Sequence, residues 1–450
     1  MIAAPSTTPS RVAGIAAGAA SNTRLAIRGD LLDFSSDPGL HDVQPAALRW
    51  RPDQWLLIDG GRIAGVQSLT PDLSWPQIDH RGRLILPGFI DSHVHSAQID
   101  VIGSWGTELL DWLDRHTFPA ELRMADPEHA HAQSAQFADA LLAHGTTAAC
   151  VYPSVHPGSV DAIFGAAQAR GMRLIAGKLL MDRNAPAALC DDVNQAERDC
   201  HALIKRWHGR DRLVYAVTPR FAPTSSDAQL AMAGELLAST PGLYMQTHVA
   251  ENRDEVRWVA ELFPAARSYL DVYARHGLLN QRAVLGHGIW LDDNDRALLH
   301  ERGAQIAFCP SSNLFLGSGL FGWQAAADAG VGVSLASDVG GGTSLSMRRT
   351  MLDAYKVQAL AGTRVTAFAL LHAATRGAAN NLHLADEIGS FDIGCSADIG
   401  VWDWATSPLA TARQGVARDL HEKLFAWITA GDETDLAQTW VAGTCCYRRD

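Results

Sequence analysis

The sequence predicts an α/β protein, a distorted (β/α)8 TIM barrel carrying a smaller β-sandwich domain built from both chain termini. From residue 84 onward, apolar strand-like runs alternate with helix-length stretches, the pattern of βα units around a parallel sheet. The runs number eight, at 84–92, 146–152, 173–181, 213–219, 243–248, 282–287, 305–309 and 331–337. Side chains able to hold a metal recur at the carboxyl ends of these runs, where barrel enzymes keep their catalytic loops. The smaller domain is read from the ends of the chain: Trp55 to Val66 carries an Asp59-Gly60 turn between two short strands, and Ala397 to Trp402 and Thr439 to Gly443 read as further strands. The expected division is a tail over 1–23, sandwich over 24–84, barrel over 85–387 and sandwich again over 388–450.

The chemistry starts at Pro87-Gly88-Phe89-Ile90-Asp91-Ser92-His93-Val94-His95. Side chains two apart on a strand share a face, so His93 and His95 leave the strand end together as a ligand pair. The run 243–247 leads into His248, 282–286 into His287, and 331–337 into Asp338. Neutral imidazoles with a carboxylate suit a borderline cation such as zinc, which lowers the pKa of water from about 15.7 toward about 7. Such a site favours hydrolytic attack on a carbonyl or amidine-like carbon. Glu251, three residues past His248, reads as a proton shuttle, and otherwise as a solvated acid. His287 is either a ligand or a donor that orients the attacking water. The stretch 107–113 places Leu109, Leu110, Trp112 and Leu113 near helical spacing, as plain packing or as a cover over the barrel mouth.

Composition bounds the partner. With 37 basic and 49 acidic residues the formal net charge is -12, which disfavours nucleic acid and anionic membrane surfaces and leaves a small molecule as the expected substrate. Seven cysteines, an odd number with Cys445 and Cys446 adjacent, do not form a disulfide framework, so a cytoplasmic location is expected. The first residues, rich in Ala, Ser, Thr, Pro and Gly, read as a flexible tail; a targeting signal is the alternative, although Ile15 to Ala20 is short and weakly apolar for an export core.

Pro87 to His95, His248, His287 and Ser337-Asp338 resemble the metal-dependent amidohydrolase superfamily, whose members share a distorted (β/α)8 barrel and hold one or two metals. Two-metal members commonly use a carbamylated lysine from the fourth strand. The fourth strand here, 213–219, has none, so one metal per subunit is expected, and Lys178 on the third strand reads as structural. Within the superfamily the likeness is to the guanine deaminases. It runs through Ser96-Ala97-Gln98, Leu109 to Glu121, Lys178 to Pro186, Thr218 to Ser226, His248 to Glu255, Cys309 to Asn313 and Asp338 to Met347. The resemblance implies Zn2+ on His93, His95, His248 and Asp338, proton transfer by Glu251 and Asp338, a purine held by Gln98, Arg220 and Phe221, and a homodimer. Ser96-Ala97, where a proline often precedes the glutamine, and the glycine-rich 340–342 depart from the pattern.

Guanine offers acceptors at O6 and N7 and a donor at N1; Arg only donates, and Gln does both. Arg220 and Gln98 therefore suit guanine, and adenine mismatches because its exocyclic amine is a donor. Another aminated heterocycle, such as a different purine, a pterin or a triazine, is the competing substrate, and a metal-free scaffold on the same fold is the competing class. The cytidine type of zinc deaminase needs Pro-Cys-x-x-Cys, which the sequence lacks.

Overall fold

Two sheets organise the chain in this computed structural model, which describes residues 24–106 and 108–450. The tail expected over 1–23, and Thr107 within the expected helix at 107–113, lie outside the described residues. In chain order the strands are β1 Leu25–Phe34, β2 Leu48–Asp59, β3 Arg62–Gln67, β4 Gln77–Pro87, β5 Phe89–His95, β6 Thr146–Tyr152, β7 Arg173–Ala176, β8 Leu179–Leu180 and β9 Leu213–Pro219. They continue with β10 Tyr244–Val249, β11 Ala283–His287, β12 Gln305–Phe308, β13 Val333–Leu335, β14 Ile399–Trp402, β15 Leu436–Val441 and β16 Thr444–Arg448.

The terminal segments meet in a seven-stranded sheet of order β16-β15-β14-β4-β1-β2-β3, so both ends of the chain contribute to one β-rich unit. Its β2–β3 hairpin turns at Gly60 and Gly61, whose φ values of 58° and 77° lie in the left-handed region that a side chain disfavours.

The barrel strands run parallel in the order β5-β6-β7-β9-β10-β11-β12-β13, with short β8 beside β9. Hydrogen bonds just beyond the last strand close the circle: Asp338 N–H donates to the carbonyl of His93 at 2.9 Å, and His95 N–H to that of Val339 at 2.8 Å. Interior positions such as Cys150, Ala216, Ala307 and Ala336 are small and fully buried, so the staves approach closely and the larger Tyr244 fills the remaining space. A larger apolar layer, including Phe137, Phe164, Leu285 and Phe308, lies between barrel and helices.

Two strand assignments need correction. The run 84–92 is not one strand: 84–87 pairs with β1 and β14 in the terminal sheet, and the barrel strand begins at Phe89. Gly88 makes the crossing, where an added Cβ would lie 2.2 Å from Thr147 Oγ1 and its N–H donates to the Asp398 carbonyl at 2.8 Å. A continuous apolar run fits either buried sheet, so periodicity could not reveal the break. The run 173–181 divides at Gly177, where a Cβ would meet the Ala216 carbonyl oxygen at 1.7 Å, and resumes as β8. Among the described residues no helix is long and apolar enough to cross a membrane.

Candidate active site

Strand ends bring His93, His95, His248 and Asp338 to one point. The Nε2 atoms of His93 and His248 lie 3.2 Å apart, those of His95 and His93 3.3 Å, and those of His248 and His95 3.3 Å. Asp338 Oδ1 lies 3.3 Å from His93 Nε2 and 3.2 Å from His95 Nε2. The His248 tautomer follows from its partner: Nδ1 stands 2.6 Å from the Arg220 carbonyl, which can only accept, so Nε2 is a bare lone pair aimed at the other donors. Burial holds His93 at about 4 and His248 well below the ordinary histidine value, so both rings are neutral. Burial would raise the Asp338 carboxyl, but the His93 and His95 imidazoles beside it hold it well below the usual range. Donor atoms about 2.0–2.2 Å from one divalent ion stand roughly 3 Å or a little more apart, as these do. The cluster therefore fits such a cation, and without one the facing lone pairs would repel.

Glu251 and His287 border this cluster. His287 Nδ1 donates to Asn313 Oδ1 at 2.8 Å, and its Nε2 faces Glu251 Oε2 at 3.4 Å and Asp338 Oδ2 at 3.6 Å. Burial lowers a histidine, yet these two carboxylates outweigh it and leave His287 above its ordinary value. Burial raises Glu251 to about 7, suited to taking and returning a proton near neutrality. Ser318 Oγ donates to Glu251 Oε1 at 3.0 Å, fixing the carboxylate. Left-handed φ angles of 47° at Ala250, 70° at His287 and 49° at Asp338 place local backbone strain around these groups.

The cluster opens into a narrow cavity. Gln98, Arg220 and Phe221 line it, opposite Leu109, Trp112 and Leu113. The cover is a helix Leu109–Trp112, a wider π turn Leu113–Thr117 and a helix Phe118–Arg123, which buries the apolar face expected from the sequence. One phenol aligns two loops: Tyr273 donates to the His248 carbonyl at 2.8 Å and accepts from Ala222 N–H at 2.9 Å. All nine candidate residues are therefore neighbours. Lys178 points elsewhere, paired with Asp191 at 2.6 Å.

Sequence reasoning assigned no role to Glu255, Asn313 or Glu121. Glu255 accepts from Glu251 N–H at 2.9 Å and Asn252 N–H at 3.0 Å, so it fixes the backbone of the acid; the Asn252-x-x-Glu255 capping box was a readable signal. Asn313 sits inside a singled-out motif, but only the fold sets it against His287. Replacing Asn313 by Ala frees the His287 ring, and we expect kcat to fall about 10- to 100-fold with metal content retained, as for other orienting partners. Steady-state kinetics beside metal analysis checks this, and an unchanged kcat rejects it.

Residues 84–445 match the amidohydrolase family. Guanine deaminase of Escherichia coli K12 is 42% identical over 435 residues, covering 95% of this chain and 99% of that protein. A solved E. coli guanine deaminase structure superposes with a TM-score of 0.92 at 42% identity, over 95% of this chain and 100% of the other. A guanine deaminase from C. acetobutylicum, with guanine bound in its active site, gives a TM-score of 0.86 at 25% identity, over 94% of this chain and 100% of the other.

Proposed function

The chain belongs to the amidohydrolase family, and on that premise we propose that it hydrolyses free guanine to xanthine and ammonia, with one Zn2+ per subunit held by His93, His95, His248 and Asp338. The observation that carries this reading is one cavity joining a metal cluster, a buried acid and a guanidinium–amide pair suited to a purine edge. The guanine deaminases similar to this chain, one of them with guanine bound, support the same substrate.

The zinc ion, when bound, supplies Lewis acidity that lowers the pKa of water from about 15.7 toward about 7. Glu251 accepts one proton of the attacking water and delivers it to N3 as oxygen adds to C2, and Asp338 takes the second proton from that oxygen. His287, its Nδ1 occupied by Asn313, presents Nε2 to the entering oxygen and steadies its charge. Asp338 passes that second proton to the amine at C2, the C2–N bond breaks, ammonia leaves and xanthine remains. Arg220 donates to O6, Gln98 reads the adjoining edge and Phe221 stacks on the ring, while the apolar cover excludes bulk water.

Ammonia release from guanine, adenine and cytosine by zinc-loaded protein tests the reading: guanine is the preferred substrate, and no turnover of guanine overturns it. Replacing Arg220 by Ala removes a charged hydrogen-bond donor and raises KM for guanine about 10- to 100-fold with a smaller effect on kcat. An unchanged kcat/KM dismisses that contact. We assign residues 89–387 to the barrel and 24–87 with 388–450 to the terminal domain, with Gly88 as the crossing, and propose a homodimer in the cytoplasm, the compartment in keeping with seven free cysteines.

A further inference from the structure

We propose that Glu121 is a positioning residue that sets which purine edge the site accepts, an inference that rests on Arg220 and Gln98 being the partners of the base. Glu121 lies on the covering helix Phe118–Arg123 and is fully buried. Its Oε1 accepts from both Gln98 Nε2 at 3.0 Å and Arg220 Nη1 at 2.5 Å, behind the cavity wall that those two side chains form. Ser154 Oγ donates to its backbone carbonyl at 3.1 Å and fixes where the residue sits.

The consequence for Gln98 is chemical order. A free carboxamide can turn over and exchange donor for acceptor. Here the NH2 group is tied to Glu121, and the oxygen accepts from Gly340 N–H at 3.3 Å, on the loop beyond Asp338. Only one arrangement satisfies both partners, because a carboxylate accepts and a backbone N–H donates. Gln98 therefore shows the base one donor and one acceptor in a fixed sequence. For Arg220 the consequence is direction: with one nitrogen bound to Glu121 and its guanidinium 5.7 Å from the Phe118 ring, the remaining donors keep a set aim. Glu121 also neutralises a cation that shares the buried cavity with the metal site. A carboxylate retained only to compensate a buried arginine has no need to hold a neutral amide on the same oxygen.

The covering helix thus contributes to selection as well as to exclusion of water. An oxygen at C6 meets a rigid donor array, and a base without that oxygen gains nothing from the rigidity.

The test replaces Glu121 by Met, which keeps the length and removes both acceptors. It compares KM and kcat for guanine with competitive inhibition by xanthine, which keeps O6, and by 2-hydroxypurine, which lacks it. We expect KM for guanine and Ki for xanthine to rise about 10- to 100-fold, with kcat and Ki for 2-hydroxypurine within about threefold, and a further loss below about threefold when the change is added to Arg220→Ala. Glu121→Gln, which keeps the shape and one neutral acceptor, gives the same separation of ligands at smaller size and serves if the Met variant does not fold. Equal losses on xanthine and 2-hydroxypurine, or an unchanged KM for guanine, overturn the inference and leave the guanine reading standing. A wild-type protein that does not turn over guanine overturns that reading, and this inference with it.

Discussion

Replacing Glu251 by Gln lowers kcat for guanine by about 10²- to 10⁴-fold and leaves metal content and KM close to wild type. The substitution removes a proton acceptor with little change of shape. Gln keeps an oxygen able to accept from Ser318, and the backbone N–H that binds Glu255 is untouched. The four metal-cluster donors do not include this side chain. What is lost is a carboxylate that burial raises to about 7 and that faces His287 at 3.4 Å. An amide can neither take the proton of the attacking water nor deliver it to the ring nitrogen. Ammonia release, metal analysis and binding of xanthine measured together isolate the effect, and a near-normal kcat refutes the shuttle.

Replacing Asp338 by Asn has a larger effect, because one residue serves two purposes. Its Oδ1 lies 3.2–3.3 Å from the His93 and His95 imidazoles and its Oδ2 lies 3.6 Å from His287 Nε2. Asn preserves the shape and tolerates the backbone, whose φ of 49° lies in the left-handed region where Asn and Asp are accepted. It removes the only anion among the four donors, so three neutral rings must hold the cation. Loss of a metal contribution worth several kcal/mol corresponds to at least about a 10³-fold fall in kcat/KM. Metal content falls as well, and added zinc restores occupancy further than turnover, because the proton acceptor remains absent. Full turnover on adding zinc would leave Asp338 a ligand alone; wild-type metal content and turnover would remove it from the site.

Much of the site was legible because local pattern carries it. His93 and His95 show their shared face through two-residue spacing, and His248, His287 and Asp338 stand where apolar runs stop. The capping-box Glu255 was equally readable. Glu121 was not: a glutamate on a short helix carries the signature of a solvated acid, and its burial comes from packing against Gln98 and from an ion pair 99 residues away in sequence. Asn313 was visible in its motif, but its contact with His287 spans two strand ends.

By itself the sequence determined the alternation of strands and helices, the chemical types of the metal-competent side chains and their place at strand ends. These follow from side-chain periodicity and residue identity, which are local. Tertiary structure decided where the chain passes between sheets at Gly88, which imidazole nitrogens converge, that His287 takes Asn313 and faces the two carboxylates, and that the cover turns a carboxylate inward. Each of these depends on distances between residues far apart in the chain, set by how the barrel closes and packs.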